Sequence, residues 1–309
     1  MGLTIVKAGP LSLLQDLGRF GFQNIGVTPG GPMDSHAFNW ANKLLDNPQN
    51  ATQIEITMGG FKALFNKANS FAICGAESLI TLNGKTVKNW SSHHAQAGDI
   101  LEIGYVTKGL RTYLAVNGGF SIEKTLNSSS TVVRDNLGGL YQNGEKLQDG
   151  DNIPYLGARL PFSKSVPSCF IIDYKKTVEI GVLPTYQFDE FSPVARSLFF
   201  SSTYTITPFC DRMGYRLEGE AIPYETTDFI SEGIALGAIQ IPKNGQPIIL
   251  MNDRQTIGGY PKIGCVCKND LNLLAQSPPG TTIQFVLKDI FKSEAQLHIE
   301  NNFFSNSKS

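Results

Sequence analysis

The densest run of residues able to do chemistry is Asn252-Asp253-Arg254-Gln255-Thr256-Ile257-Gly258-Gly259-Tyr260-Pro261-Lys262, directly after the apolar run Ile248–Met251. Asp253 could orient a donor or act as a base. Arg254 offers a planar fork for a carboxylate or phosphate. Gly258 and Gly259 let backbone N–H groups approach a ligand closely, and Tyr260 and Lys262 add donors. A structural reading has equal weight: Asp253 and Arg254 pair with each other and the glycines only turn the chain.

A second cluster is Asp211-Arg212-Met213-Gly214-Tyr215-Arg216. Taken alone, it reads more simply as a turn entering a strand with solvated charges. A third joins Gln15-Asp16-Leu17-Gly18-Arg19 to Gly30-Gly31-Pro32-Met33-Asp34, where Asp34 has a complete structural job as a helix cap. Asn39 and Asn42 could present amides on one helix face, although exposure or a bond to a neighbouring loop is the commoner fate of such residues. Glu55, inside an apolar strand, needs a buried partner, and Arg19 is the candidate. His93-His94 reads as a solvated turn, because adjacent strand residues point oppositely. The chain holds no P-loop, no G-x-G-x-x-G between strand and helix, and no G-x-S-x-G elbow.

These residues sit on a predominantly β framework. Leu3–Lys7, Gln53–Thr57, Ser70–Cys74, Ser78–Leu82, Ile100–Val106, Arg111–Val116, Cys169–Tyr174, Thr177–Val182, Thr203–Thr207, Ala238–Ile241, Ile248–Met251 and Thr282–Leu287 read as strands. Asn83-Gly84 and Asn244-Gly245 supply the positive φ of tight hairpin turns. Helices are few. Asp34 caps Ser35–Leu45, Ser192-Pro193 opens a helix to about Phe200, and Asn269 caps Asp270–Gln276. Leu160–Ser168, with two Pro and three Ser, reads as a linker between domains at 1–160 and 161–309. The halves echo each other weakly, as in Asp16–Gly21 and Asp211–Arg216, which favours an old duplication slightly over chance. The polar tail Asn301–Ser309 is expected to fray.

Length and composition bound the rest. The 309 residues, 41% hydrophobic, suffice for about two domains with sizeable cores. A net charge of -1 argues against a nucleic-acid binder held by a basic footprint. No apolar run approaches the ~20 residues needed to span a bilayer. The start lacks the pattern of a signal peptide, so the cytoplasm is the expected location. Five cysteines without a C-x-x-C pair read as reduced, mostly buried thiols. Four scattered histidines make no metal cluster.

Together, the loops make the chain recognisable. It resembles the family of allophanate hydrolase subunit 2, also called the biotin-dependent carboxyltransferase family, and within it the C-type subunits of 5-oxoprolinase and the KipA-type proteins. The segments that carry the likeness are Gln15–Arg19, Gly31–Asp34, Ala41-Asn42 with Asn47, Glu55–Thr57 with Gly59-Gly60, Tyr113–Gly119, Asp211–Arg216, Ser231-Glu232, Gly237–Gln240 and Asp253–Lys262. Ile257 stands where a second Thr is usual, and Asn117 where a small residue is common.

The resemblance implies two cyclophilin-like β-barrel domains with a few short helices. It implies a complex with a B-type subunit (allophanate hydrolase subunit 1, KipI-like) and, in 5-oxoprolinase, an A-type subunit as well. The implied reaction opens the lactam of 5-oxo-L-proline to L-glutamate with ATP (with Mg) in the complex. Catalytic roles are then expected for Asp253, Arg254, Tyr260 and Lys262. Substrate contacts are expected from Gln240, Gln255, Thr256, Gly258, Gly259, Asp211, Arg212 and Tyr215. Among these, Arg254, Arg212 and Lys262 suit developing phosphate charge, while Gln240, Thr256, Tyr260 and the glycine backbone suit a substrate carboxylate. Two alternatives remain. One is a carboxyltransferase using biotin on urea or a similar amide, although the chain has no carrier Met-Lys-Met. The other is a KipA-type protein that sequesters a kinase inhibitor.

Overall fold

A computed structural model of the chain describes residues 2–224 and 230–305. Its contacts divide it into two units, one of Met1–Arg19, Gly30–Tyr174 and Asn302–Ser309, the other of Phe20–Pro29 and Lys175–Asn301. The protein is mainly β, with four helices among the described residues. None of those helices is long and apolar enough to cross a membrane.

The first unit comprises β1 (Gly2–Lys7), β2 (Leu11–Gln15), α1 (Ser35–Leu44), β3 (Gln53–Thr57), β4 (Phe61–Phe65), β5 (Asn69–Leu82), β6 (Lys85–Thr86), β7 (Ser91–Ala95), β8 (Ile100–Val116) and β9 (Asn152–Pro154). The nine strands form one sheet in the order β2-β3-β8-β4-β1-β9, with β5 joining β6 and β7 to β8. Strict alternation explains β4: Phe61, Ala63 and Phe65 are buried while Lys62 and Leu64 are only partly so. Helix α1 starts where Asp34 accepts the Ala37 N–H at 3.0 Å. Its Phe38, Ala41 and Leu44 pack against Ala72, Tyr113 and Ala115 of the sheet.

The pairs of strands expected at 70–82 and 100–116 are two long strands, β5 and β8. Their register slips between Gly75 and Ile80, so each bends without ending. Gly75 permits the bend: its φ is 109°, and a Cβ there would sit 2.4 Å from the Arg111 carbonyl. Asn83 and Gly84 have φ of 51° and 74°, and their turn pairs Leu82 with Lys85 as expected. The Leu160–Ser168 run packs with this unit. Ser92 N donates to Lys164 O at 2.8 Å and Val166 N to Trp90 O at 2.9 Å, and the contacts part instead at Tyr174/Lys175. Cys169–Tyr174 is not a strand. Ser168–Phe170 is a 3-10 turn, and Phe170 lies against Trp40 at 5.3 Å between ring centroids, so its apolar surface is used in packing and not in a ladder.

The second unit holds β10 (Thr177–Pro184), α2 (Pro193–Ser201), β11 (Thr203–Cys210), β12 (Gly214–Glu218), β13 (Glu232–Gly233), β14 (Ala238–Gln240), β15 (Ile248–Leu250), β16 (Ile257–Gly258), β17 (Lys262–Val266), α3 (Asp270–Ala275) and β18 (Thr282–Leu287). Seven of these strands close a barrel, β10-β17-β14-β15-β12-β11-β18. Its closing seam is parallel, running from Thr177↔Thr282 to Val182↔Leu287. Alternate residues such as Ile180, Ile239, Ile249 and Ile283 fill the interior. Helix α2 begins as expected, with Ser192 Oγ accepting the Ala195 N–H at 3.1 Å and Pro193 at the first position. Its Phe199 stacks on Phe285 at 4.4 Å.

Three local expectations change. Asn244 has no positive φ; Gly245 N bonds back to Pro242 O at 2.8 Å, and the connection between β14 and β15 is a longer loop. Asn269 precedes α3 but makes no side-chain cap. The tail is helical: α4 (Ile290–Ser305) continues through Asn301–Ser305, and Asn306–Ser309 lie outside the described residues. Phe304 anchors that end, 5.5 Å from Trp40. Only Phe304 of this helix is buried, so no apolar face marks it in the sequence.

Candidate functional site

The two loops flagged in the second half meet. After β15 the chain turns, Met251 N donates to Met213 O at 2.9 Å, and Asp253 N donates to Arg212 O at 2.7 Å. The side chains then pair: Arg212 Nε donates to Asp253 Oδ2 and Arg212 Nη2 to Asp253 Oδ1, both at 2.8 Å. Both residues are buried, with 6% and 5% side-chain exposure. A two-pronged guanidinium–carboxylate pair fixes both planes. Asp253 is therefore a positioning group for Arg212, and Arg254 is not its ion-pair partner.

Within the Asp211–Arg216 run, the other residues do different work. Asp211 Oδ1 accepts the N–H groups of Met213 at 2.7 Å and Gly214 at 3.1 Å, capping its own turn. Tyr215 is wholly buried in β12, opposite Ile249 of β15.

Arg254 is also buried, but it faces backbone. Its Nε donates to Ile234 O at 3.1 Å and its Nη1 to Met251 O at 3.3 Å. Burial brings its guanidinium down to about 10, so it keeps its charge at neutral pH. Burial likewise pushes the Cys265 thiol up to about 11, with Arg254 pulling the other way. Cys265 is therefore protonated at neutral pH and no nucleophile.

Lys262 opens β17. Its backbone is pinned from the segment after β10: Thr185 Oγ1 donates to its carbonyl at 2.6 Å, and its N–H donates to Gln187 Oε1 at 2.9 Å. Its buried ammonium pairs with Glu232, whose carboxylate also accepts the Tyr186 hydroxyl. Those two hydrogen bonds hold the Glu232 carboxyl below its usual range. Lys262 stands opposite Gln240 in the β14–β17 ladder. Gln240 is buried, and its side-chain nitrogen has no hydrogen-bond partner among the described residues. A Cβ at Gly258 would lie 3.1 Å from that nitrogen and 2.6 Å from Ile234 Cδ1. The backbone thus passes close over the amide only because residue 258 is glycine.

The rest of the loop is more open. Gly259 and Tyr260 line a cavity of about 700 Å³ with Ile241, Pro242 and Lys243. Tyr260 also lines a neighbouring cavity of about 690 Å³ with Phe209 and Arg216. Gln255 and Thr256 are half-buried, and the Thr256 carbonyl accepts the Ile234 N–H at 3.0 Å.

In the first unit the polar clusters bond to their own neighbouring strands and loops. Asp16 accepts from Ser130 Oγ at 2.8 Å, Ser129 N at 2.9 Å, Gly18 N at 3.0 Å and Ser128 Oγ. Arg19 binds the carbonyls of Thr125, Ser128 and Ser130, so it is not the partner of Glu55. Glu55 instead accepts from Tyr113 Oη at 2.7 Å and Met33 N at 2.9 Å, with Arg111 Nε 3.8 Å away. Asn42 ties down the carbonyls of Gln49 and Ala51 at 3.1 and 3.0 Å. His93 and His94 lie in β7, bonded to Lys88 O at 2.7 Å and Ser70 Oγ at 2.8 Å. No group of three or more metal-ligating residues occurs among the described residues.

The sequence singled out Gln240, Arg254 and Lys262 without showing what covers them. Glu232, Tyr186 and Ile234 do so. Glu232 lies 30 positions before its Lys262 partner, and no local spacing announces the pair. Chemically, the cluster offers an ammonium, a guanidinium and an amide as donors, which suits carboxylate or phosphoryl oxygens and not a metal ion.

The chain matches the carboxyltransferase domain family, subdomains A and B, over residues 25–287. It is 37% identical to the C-type subunit of 5-oxoprolinase from Escherichia coli, over 92% of this chain and 90% of that one. It is 34% identical to the C-type subunit of 5-oxoprolinase from Haemophilus influenzae, over 98% and 96% of the two chains. The crystal structure of the Kluyveromyces lactis urea amidolyase superposes with a TM-score of 0.92 at 27% identity, covering all of this chain and 20% of the larger one. On residues 25–287 and on near-full-length likeness to two 5-oxoprolinase subunits, this chain belongs to the carboxyltransferase domain A and B family.

Proposed function

We propose that this chain is the C-type subunit of an ATP-dependent 5-oxoprolinase that hydrolyses 5-oxo-L-proline to L-glutamate with A-type and B-type partner subunits. The observation that carries this reading is the match to two proteins of that name over 90% and 96% of their lengths. The donor cluster supports it. A lactam is a stable amide, and transfer of a phosphoryl group from ATP to its oxygen makes the ring carbon open to attack by water. Such a scheme wants cations where phosphate charge develops and donors for the substrate carboxylate. Arg254 and Lys262 offer the first, and Gln240 with the Gly258-Gly259 backbone the second. Arg212 and Asp253, locked together, hold the loop in place.

The test is to co-express the three subunits and measure glutamate release from 5-oxoproline plus ATP, with Arg254→Ala alongside. Activity that needs all three chains and falls at least ~100-fold in an assembled Arg254→Ala complex supports the reading. An assembled complex without activity refutes it. The likeness to the urea amidolyase structure favours the second reading, a biotin-dependent carboxyltransferase. That reading needs a separate biotin carrier, and carboxylation of urea by the mixture would establish it. A complex inactive in both assays would leave the KipA-type regulatory role.

A further inference from the structure

Most of what covers the donors of this site comes from one thin element. Strands β13 and β16 form a two-stranded ribbon outside the barrel, with Glu232 opposite Gly258 and Gly233 opposite Ile257. Glu232 of the ribbon holds the Lys262 ammonium. Ile234, at its end, lends its carbonyl to Arg254 Nε at 3.1 Å. Gly258 of the ribbon lies over the partnerless Gln240 nitrogen. Below it, Gln240 and Lys262 are neighbours on adjacent barrel strands. The ribbon's own strands are two residues long and Ile257 is 62% exposed, so its apolar anchor is Ile234, buried against Ala238 and Leu250 at its end.

We propose that this ribbon is a displaceable strap, and that the Glu232 carboxylate holds the place of a carboxylate-bearing ligand on Lys262 and Gln240. The orphaned amide is the main reason. A buried N–H₂ without an acceptor costs free energy, and this one lies opposite Lys262 and under Gly258, where an entering acceptor would meet both donors. The Lys262–Glu232 pair mimics what a small acid would do, with one carboxylate on an ammonium. Glu232 supplies nothing for the amide next door. A ligand with a carboxylate and a second acceptor oxygen, such as an amide carbonyl, would satisfy Lys262 and Gln240 together. Tyr186, which donates to Glu232, then serves as the strap's catch on the barrel side. The inference concerns the loop used in the functional reading above and takes from that reading only its choice of probes.

The test uses the full chain without partners. Hydrogen exchange read by mass spectrometry follows the amides of 230–236 and 255–260 in the wild type, Glu232→Gln and Tyr186→Phe. Exchange in both segments should rise about tenfold in Glu232→Gln and less in Tyr186→Phe, with the barrel strands unchanged. In parallel, 5-oxo-L-proline, L-glutamate and acetate are titrated by calorimetry. At least one should bind Glu232→Gln about tenfold more tightly than the wild type, because the internal competitor is weakened. Lys262→Met should abolish the binding. Stronger binding of the two acids with a second acceptor supports the full ligand class, and equal binding of acetate narrows it to the carboxylate alone. Unchanged ribbon exchange in Glu232→Gln, or no probe gaining affinity, overturns the proposal. Loss of 5-oxoprolinase activity in the assembled complex bears only on the function, so the two can fail separately.

Discussion

Asp16 in the first unit and Lys262 in the second are both buried ionic groups, yet they are held in opposite ways. Asp16 accepts four hydrogen bonds from residues 18, 128, 129 and 130, all part of the packed unit. Lys262 is held by one carboxylate on a short ribbon and, at a longer 3.4 Å, by the Tyr260 carbonyl. Beside it lies an amide nitrogen with nothing to bind. The first arrangement uses up a buried charge to fix a fold. The second keeps a charge in reserve behind a removable partner. A buried charge therefore points to function only where its partner can leave.

The sharpest way to break that contrast is Arg212→Ala. It strands the buried Asp253 carboxylate and should cost about 3–5 kcal/mol, read as a fall in the urea midpoint. The double variant Arg212→Met with Asp253→Leu should recover much of that loss, since the unpaired charge is gone. Asp16→Ala orphans several buried donors and should cost about 2–3 kcal/mol by the same measurement. Gly258→Ala pushes a methyl into Ile234 and Gln240 and should cost about 1–2 kcal/mol while loosening the ribbon, which limited proteolysis would report. Glu232→Gln should cost about 1 kcal/mol, because that carboxylate is partly exposed.

The pH dependence of the Glu232→Gln effect sharpens the comparison. The folded Glu232 carboxyl titrates below its unfolded value of about 4.3, so the ion pair adds stability above that pH. The difference between wild type and Glu232→Gln should be constant near neutrality and vanish as the pH falls through the folded value. A difference that grows on acidification would break the account.

Much of this molecule is legible in its sequence, and the limits are specific. Asp34 and Ser192 announce α1 and α2 because a cap is a local event. Asn83-Gly84 announces its hairpin for the same reason. Asn244-Gly245 misleads, since the flanking residues carry β14 and β15 apart before they pair. Helix α4 stays hidden because burial touches one residue of it. At the site, loop chemistry marks Gln240, Arg254 and Lys262. The choice of partner does not: Asp253 could as well have paired with Arg254, and only the approach of the 211–216 turn gives it Arg212. Such pairings join residues far apart in sequence and follow from packing.

The parallel seam between β10 and β18 has a consequence in time. It joins Thr177–Val182 to Thr282–Leu287, the first and last strands of the barrel. During synthesis the barrel cannot close until its final strand leaves the ribosome, and until then β10 and β11 both present unpaired edges. Contacts of such sequence separation also make closure intrinsically slow. A chain cut just before Thr282 would therefore keep nearly every residue of the site and still lose the barrel that holds it, with two open edges free to pair with other chains.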